Sequence, residues 1–440
     1  MKKRTLTHLE NMCVEQRSIW RLKPCENNAR THSKKQIKQI ASSIEQFGFL
    51  NPVLLGKDRN IVAGHGRVEA AKLLGITEVP TIRLDHLNDD EIRAYVIADN
   101  RLAELAGWDK EILAIEFQAL LDLDLDFDIT LTGFETAEID LTIQGLNATA
   151  PLEEPLAQLD DSLPTITQPG DLYALGPHRI ICGDVRESGV VKHLMKRKTA
   201  HMVFTDPPYN VPINGHVGGL GKHQHEDFAM ACGEMSADEF SEFLEKTLSQ
   251  LVKVCAKGSL HYICMDWRHI AELQTACKDI YTRLINLCVW VKTNGGMGSF
   301  YRSQHELVFV YQVGSGPHVN NVELGKHGRY RTNVWQYAGM NAFNNDRDEL
   351  LSSHPTVKPI QLVEDAILDA SNHGDIVLDG FLGAGTTLLA AERTQRVCYG
   401  VEIDPRYIDL TIRRWQATTG GEAKSVASQE TFSDLEARHG

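Results

Sequence analysis

The chain has 440 residues, of which 42% are hydrophobic, and a formal net charge of −14. This length exceeds what one hydrophobic core usually organises, so two or three domains are expected. No apolar run approaches the roughly 20 residues that cross a bilayer, and the basic start leads into polar residues, which together predict a cytoplasmic protein without a membrane partner. The nine cysteines contain no C-x-x-C pair. Reduced thiols are therefore favoured over disulfides, and no metal site is predicted.

The negative charge is concentrated in one stretch. Residues 1–101 carry 17 Lys and Arg against 12 Asp and Glu, whereas residues 102–161 carry 1 against 15. Exposed charges are screened beyond about 8 to 10 Å at physiological salt. The overall charge therefore does not exclude a cleft elsewhere in the chain that binds nucleic-acid phosphates.

The first hundred residues predict a small α+β domain over 14–103. Apolar residues at helical spacing between Ile37 and Ile44 predict a helix that stops at Gly48. A second helix is predicted to open at Gly64-His65-Gly66-Arg67. Short strands are predicted at 53–55, 61–63 and 79–82.

Residues 104–161 are interpreted as an acidic connector. Leu and Asp alternate from Leu121 to Asp128, which fits either an edge strand or the end of a helix. Prolines at 151, 155 and 164 follow. Charge without periodicity, followed by prolines, is typical of a linker.

The pattern from residue 162 onward is α/β and predicts one domain over 162–420, with a tail at 421–440. Segments 210–235 and 313–353 are rich in Gly, His and Asn and show little periodicity, so an inserted region is expected at about 210–353. Buried strands are predicted at 179–184, 200–205, 260–265, 287–291, 307–311, 376–379 and 397–403.

The motif Asp206-Pro207-Pro208-Tyr209 follows the apolar run Met202–Phe204. An acid at the end of a strand, two prolines that stiffen the turn and remove backbone donors, and an aromatic ring form a cradle for a flat ring that bears an amino group. A proline turn without chemistry is the alternative interpretation.

A glycine loop, residues 379–387, lies about 170 residues after that motif and follows a predicted strand. Glycines at such a strand-to-helix turn let backbone N–H groups approach a nucleotide-bearing ligand closely. Glu402 ends the next predicted strand and can accept hydrogen bonds from both hydroxyls of a ribose. An ordinary tight turn is the alternative for the loop taken alone.

These motifs, in this order, resemble the amino-methyltransferases of DNA, the N6-adenine and N4-cytosine enzymes in which the catalytic motif precedes the cofactor motif. The resemblance implies a Rossmann-like α/β domain that uses S-adenosyl-L-methionine and acts on double-stranded DNA, with region 210–353 for target recognition. It implies catalytic roles for Asp206, Pro207, Pro208 and Tyr209. It implies cofactor contacts from Asp184, Thr356, Lys358, Asp379, Phe381, Gly383, Gly385, Thr386, Glu402 and Asp404.

An exocyclic amine is a poor nucleophile because its lone pair is delocalised into the ring. Asp206 and the carbonyl of Pro207 would accept its hydrogens and turn the lone pair toward the methyl sulfonium. Tyr209 would stack on a base that has left the duplex. Within this resemblance, Asp at the first position favours adenine N6, and cytosine N4 is the alternative. Segment 300–306 mixes aromatic and basic groups that either line the base pocket, touch phosphates or pack in the core.

Residues 14–103 resemble the ParB/sulfiredoxin-like fold through the Gly64–Arg67 turn and the segments around it. The resemblance implies a phosphate site, for a nucleoside triphosphate or for DNA, and a docking scaffold is the alternative. The implied residues are Arg30, Gly64, His65, Gly66 and Arg67. A ParB-like DNA-binding adaptor that only senses S-adenosylmethionine is a competing hypothesis for the whole chain. A homodimer and a companion restriction nuclease remain open.

Overall fold

The computed structural model describes residues 12–25, 30–121, 123, 127–147, 159–160, 162–211, 233–293, 300–322, 329, 331–337 and 357–439. The chain forms two compact units, residues 1–148 and 149–440. Among the described residues, no helix is both long and apolar enough to cross a membrane.

The first unit begins with a four-stranded sheet in the order β1-β4-β2-β3. Its strands are β1 (Val14–Ser18), β2 (Val53–Leu55), β3 (Ile61–Ala63) and β4 (Glu78–Arg83), and its helices are α1 (Lys34–Phe47), α2 (His65–Leu73) and α3 (Asp89–Leu105). Ser33 caps α1 by accepting a hydrogen bond from the Gln36 N–H, and Gly48 ends the helix at φ 86°. The predicted helix and the three short strands are confirmed.

The stretch interpreted as a connector contains two helices, α4 (Lys110–Leu121) and α5 (Thr136–Asn147). They pack around Phe117, Ile129 and Ile139, which are buried. The linker interpretation is therefore wrong for residues 110–121 and 127–147, while the helix-end alternative at Leu121 is confirmed. The charge misled because acids such as Glu111 lie on exposed positions of a helix whose opposite positions are apolar.

The second unit is built on a ten-stranded sheet in the order β11-β9-β10-β8-β7-β12-β13-β6-β5-β14. The strands are β5 (Leu172–Leu175), β6 (His178–Cys182), β7 (Ala200–Thr205), β8 (Cys255–Met265), β9 (Arg283–Val291), β10 (His305–Gln312), β11 (Val334–Gln336), β12 (Ile376–Asp379), β13 (Val397–Glu402) and β14 (Ala423–Ser425). The helices are α6 (Ser188–Met195), α7 (Ala237–Lys253), α8 (Ile270–Cys277), α9 (Ile360–Ala370), α10 (Thr386–Arg393), α11 (Pro405–Thr419) and α12 (Phe432–His439). The fold is a Rossmann-like α/β sheet with buried apolar residues on both faces.

The strand order reverses between β7 and β12. These two strands are parallel neighbours, with Met202 opposite Val377 and Val203 opposite Leu378. From β7 the chain continues to β8 on one side, and from β12 it continues to β13 on the other. Ligands of open α/β sheets bind beyond the carboxyl ends of the strands at such a reversal. The edge formed by the carboxyl ends of β6, β7, β8, β12 and β13 is called the carboxyl edge below.

Two predicted boundaries differ from the structure. Strands β8 to β10 belong to the central sheet, so an insert over 210–353 is wrong for residues 236–293 and 300–312. Within the predicted insert, residues 212–232, 294–299, 323–328, 330 and 338–353 lie outside the described residues. The predicted tail is also wrong, because β14 pairs with β5 and Phe432 is fully buried against Tyr173. A three-residue strand has too little periodicity to be detected in a sequence.

Candidate active site

Residues 206–209, predicted to be catalytic and called the catalytic turn below, begin directly after β7, at the carboxyl edge. Asp206 Oδ1 accepts a hydrogen bond from the Tyr209 hydroxyl at 2.6 Å, and Oδ2 accepts one from Lys358 Nζ at 2.5 Å. Pro207 and Pro208 contribute no N–H groups. Both carboxylate oxygens are thus held by side chains, while the backbone of the turn offers carbonyl acceptors.

Asn210, which follows the motif, closes the turn and was not singled out from the sequence. It has a left-handed φ of 53°, a conformation that Asn adopts more readily than most residues. Its amide donates to the Met235 carbonyl at 2.7 Å and its oxygen accepts from the Gly233 N–H at 3.0 Å. Asn210 therefore ties the catalytic turn to the residues that precede α7.

A second carboxylate, Glu306 near the start of β10, joins the catalytic turn. Its Oε2 lies 3.1 Å from Lys358 Nζ and accepts a hydrogen bond from the Tyr209 hydroxyl at 3.3 Å. Its Oε1 accepts a hydrogen bond from Lys292 Nζ. Glu306 is the residue of segment 300–306 that contacts the catalytic turn. Nothing in the sequence of that segment distinguishes Glu306 from its neighbours.

Asp206, Glu306, Lys358 and Lys292 form a charge cluster of two acids and two bases. Burial raises the pKa of Asp206 and Glu306 adds to this, while Lys358 opposes it. Burial also raises the pKa of Glu306, but Lys358 and Lys292 outweigh it and bring that pKa to about 2. Burial lowers the pKa of Lys358, and the two carboxylates raise it above its ordinary value. Asp206 is therefore the more basic acid and the better acceptor for an amine.

Lys358 was predicted to contact the cofactor, and in the structure its ammonium contacts Asp206 and Glu306. Its side chain is 6% exposed, and the two carboxylates supply its compensating charge. Lys358 thus holds the catalytic acid in the free protein, and its contact with a cofactor stays a prediction. Thr356 lies outside the described residues.

The glycine loop follows β12, next to the catalytic turn. Asp379 Oδ1 accepts hydrogen bonds from the Thr205 hydroxyl and the Phe381 N–H, both at 3.0 Å, and Oδ2 accepts one from the Thr387 hydroxyl at 2.7 Å. Thr205 is the last residue of β7, so this bond joins the two turns. Burial raises the pKa of Asp379 to about 6. Gly385 has φ +83°, and a Cβ there would lie 2.7 Å from the Thr411 side chain.

Glu402 ends β13 and faces the glycine loop. Its Oε2 accepts a hydrogen bond from the Gly383 N–H at 2.8 Å, and its Oε1 accepts one from the Asp404 N–H at 2.9 Å. Burial raises the pKa of Glu402 to about 7, although both backbone bonds lower it. Each oxygen of the buried Glu402 carboxylate can therefore accept a further hydrogen bond.

The other predicted cofactor residues surround the same edge. Asp184 holds the Arg186 guanidinium, with its Oδ2 2.6 Å from Nη2. Asp404 caps α11 through the Arg406 N–H at 2.9 Å. The Phe381 ring lies 6.1 Å from that of Phe243, and Thr386 is the first residue of α10. Asp184 and Asp404 therefore have protein partners of their own in the free chain.

Four of the five predicted phosphate residues of the first unit, Gly64 to Arg67, lie at the start of α2. Gly64 is left-handed at φ 104°, and His65 Nε2 accepts a hydrogen bond from the Cys25 N–H at 3.2 Å. The Arg67 guanidinium donates to the Asn51 carbonyl at 2.7 Å, and Arg30 is paired with Glu104. Both guanidinium groups thus contact the protein itself, so phosphate binding stays a prediction.

Three family models match successive parts of the chain. A model described as "DNA methylase", of the N6/N4 type, matches residues 200–413. The "ParB N-terminal domain" model matches residues 4–101, and the "ParB-methyltransferase HTH domain" model matches residues 111–169, which include α4 and α5.

Curated relatives match each part. The chain is 26% identical over 259 residues to Type II methyltransferase M.HpaI of Haemophilus parainfluenzae, covering 55% of this chain and 76% of that protein. It is 24% identical over 255 residues to DNA adenine methyltransferase YhdJ of Escherichia coli, covering 52% of this chain and 81% of that protein. Over 82 residues it is 45% identical to the ParB-like nuclease domain-containing protein YnaK of Escherichia coli, covering 19% of this chain and 94% of that protein. With the paired turns at the carboxyl edge, these matches show that the chain combines a ParB N-terminal domain and a ParB-methyltransferase HTH domain with a DNA methylase domain of the N6/N4 type.

Proposed function

We propose that the protein transfers the methyl group of S-adenosylmethionine to N6 of adenine in DNA. The supporting observation is the 3.0 Å hydrogen bond from Thr205, at the end of β7, to Asp379, at the start of the glycine loop. Methyl transfer needs the reacting atoms within about 3 to 3.5 Å and in line. Two turns on neighbouring strands at a reversal of strand order would bring the two ligands next to each other, which supports such an arrangement.

The residues of the glycine loop fit the proposed cofactor. Asp379 and Glu402 are buried acids with raised pKa values, and they suit a ligand that carries a cationic amino group and two ribose hydroxyls. Gly385 keeps the loop free of a side chain at a position where a Cβ would collide with Thr411. S-adenosylmethionine supplies an electrophilic methyl group on a sulfonium.

Asp206 holds the acceptor amine and takes its surplus proton. The amine donates one hydrogen to Asp206 and one to the Pro207 carbonyl, which leaves its lone pair directed at the methyl group. When the N–C bond forms and the C–S bond breaks, the nitrogen carries one proton in excess. Asp206 can accept this proton because burial raises its pKa. Lys358 keeps the carboxylate in place throughout.

Adenine is favoured over cytosine because Asp, and not Ser, begins the motif, and the similar protein YhdJ is named a DNA adenine methyltransferase. The test is to incubate the protein with unmethylated DNA and labelled S-adenosylmethionine, digest the DNA and identify the nucleoside. N6-methyladenine is expected. N4-methylcytosine would overturn the choice of base, and unlabelled DNA would overturn the proposed activity. Single-molecule sequencing of the same DNA identifies the sequence that is methylated.

Cofactor affinity is expected to fall as the pH is lowered through about 7. Burial raises the pKa of Glu402 to about 7, so below that pH a proton must leave before both oxygens can accept ribose hydroxyls. The Kd at pH 6 should be about tenfold higher than at pH 8. The same shift makes the free folded protein bind the proton more tightly than the unfolded chain, so this group's contribution to stability decreases as the pH rises toward 7.

Calorimetry at pH 6, 7 and 8 measures this dependence, and Glu402→Gln is the matched variant without a titrating group. Its Kd should be higher but nearly independent of pH. An unchanged pH dependence in Glu402→Gln would assign the effect to another acid, with Asp379 as the first choice because its pKa is also raised, to about 6.

Tyr209→Ala is expected to lower kcat/KM for DNA more than Tyr209→Phe. The ring should stack on the target base, which contributes about 1 to 3 kcal/mol, and the phenylalanine keeps it. The hydroxyl bond to Asp206 at 2.6 Å is lost in both variants. Steady-state rates on one duplex decide the matter, and equal losses in the two variants would show that the hydroxyl and not the ring is required.

A further inference from the structure

Three aromatic side chains are exposed on the side of the sheet where the carboxyl edge lies. Phe300 is 86% exposed, Tyr301 82% and Trp267 49%. The rings of Phe300 and Tyr301 contact each other edge to face, with centroids 4.6 Å apart. In the described part of the second unit, the other large apolar side chains that are exposed are aliphatic, and each is at most 51% exposed. Apolar rings so exposed on one side of a domain mark a contact surface.

Strand pairing places these rings at the carboxyl edge. β8 runs parallel to β7 and ends at Met265, so Trp267 lies just beyond that edge. β10 runs antiparallel to β8, with Leu307 opposite Met265, so it starts at the same edge. Phe300 and Tyr301 precede the start of β10 by a few residues, so they lie on the side of the sheet where the catalytic turn lies.

The segment just before β10 is joined to the catalytic acid. The Lys292 N–H donates to the Gln304 carbonyl at 2.9 Å, and the Gln304 side chain donates back to the Lys292 carbonyl at 2.8 Å. Lys292 and Lys358 share Glu306, and Lys358 holds Asp206. A surface set on such a network keeps a defined position relative to the reacting group.

The surroundings of the aromatic residues suit nucleic acid. The Arg268 guanidinium, which also pairs with Asp266, lies over the exposed Trp267 ring at 4.9 Å. Flat rings stack on bases, and cations beside them attract phosphates. A base that leaves a duplex also leaves a gap, and apolar side chains that enter the stack offset the lost stacking.

We propose that Phe300 and Tyr301 enter the DNA stack beside the target base and fill the gap that it leaves. This inference rests on the proposed function, because only a reaction on an extruded base creates the gap. The pair thus favours extrusion of the base and does not take part in methyl transfer itself. Its contribution should disappear where the target base is already unpaired.

The test compares the full-length protein with its Phe300→Ala, Tyr301→Ala double variant on two duplexes that contain the methylated sequence. In one duplex the target base is paired, and in the other it faces a mismatch, which lowers the cost of extrusion. The double variant should lose at least about tenfold in kcat/KM on the paired duplex and less than about threefold on the mismatched one. Cofactor Kd should be unchanged. Tyr301→Phe, which keeps the ring, should retain most of the activity.

Leu284→Ala is the matched control, because Leu284 is 42% exposed and lies near the start of β9, at the opposite edge of the sheet. It should behave like the natural protein on both duplexes. The proposal is overturned if the double variant loses the same activity on both duplexes or loses none on either. In both cases the natural protein still methylates DNA, so the proposed function stands. If the natural protein methylates neither duplex, the proposed function fails and this inference fails with it.

Discussion

Replacing Asp206 by asparagine is expected to lower the rate of methyl transfer by about a thousandfold or more, while the Kd for S-adenosylmethionine changes by less than about threefold. The amide keeps the volume of the carboxylate but cannot take up the proton that the methylated amine releases. It also replaces one of the two acceptor oxygens by an N–H donor. A single-turnover rate with saturating cofactor separates this loss of chemistry from a loss of binding.

The matched control for Asp206→Asn is Asp375→Asn, at the opposite end of β12 from the glycine loop. Asp375 accepts a hydrogen bond from the Asn372 N–H at 2.7 Å, which an asparagine can preserve. Its rate should stay close to that of the natural protein. Because Lys358 keeps Glu306 at 3.1 Å in Asp206→Asn, the variant should stay folded at the assay temperature, which a thermal melt checks. A comparable rate loss in both variants would show that Asp206 has no special role.

Replacing Lys358 by methionine is expected to move the acid side of the pH–rate profile upward by about 2 units and to lower the rate at pH 7 by about a hundredfold. Without the ammonium, Asp206 and Glu306 lose the cation that they share, and their mutual repulsion and burial favour the protonated forms. A protonated Asp206 cannot take up the amine proton. Raising the pH to 9 should therefore restore much of the activity, which a profile of kcat from pH 6 to pH 9 measures.

Lys358→Arg is the charge-preserving variant and should keep the acid side of the profile near its natural position, though at a lower rate, because a guanidinium is larger than the ammonium it replaces. A uniform loss in Lys358→Met at every pH, together with a raised cofactor Kd, would contradict the role in holding Asp206. It would instead support the cofactor contact that the resemblance implies for Lys358.

The sequence by itself determined the turns that carry the chemistry. Asp206 and Asp379 each end a short apolar strand, and prolines or glycines follow at once. Such turns are local features, because Pro and Gly restrict or release the backbone whatever surrounds them. Glu402 could be predicted for the same reason, because it is an acid at the end of the next strand.

Only the tertiary structure decided how these turns combine. Lys358 and Asp206 are 152 residues apart in the chain, and Glu306 joins them because β10 pairs with β8, which pairs with β7. Strand order is a non-local property that no segment encodes alone. The sequence did not predict helices α4 and α5, because their acidic residues dominate the pattern and their apolar faces are evident only from the packing around Phe117. It did not predict β14, because a three-residue strand is recognised only from its pairing with β5. The same dependence on partners separates Glu306, which contacts Lys358 and Tyr209, from the exposed Phe300 a few residues earlier. The pairing of β10 places Glu306 among charged side chains, whereas Phe300 lies beyond the edge of the sheet.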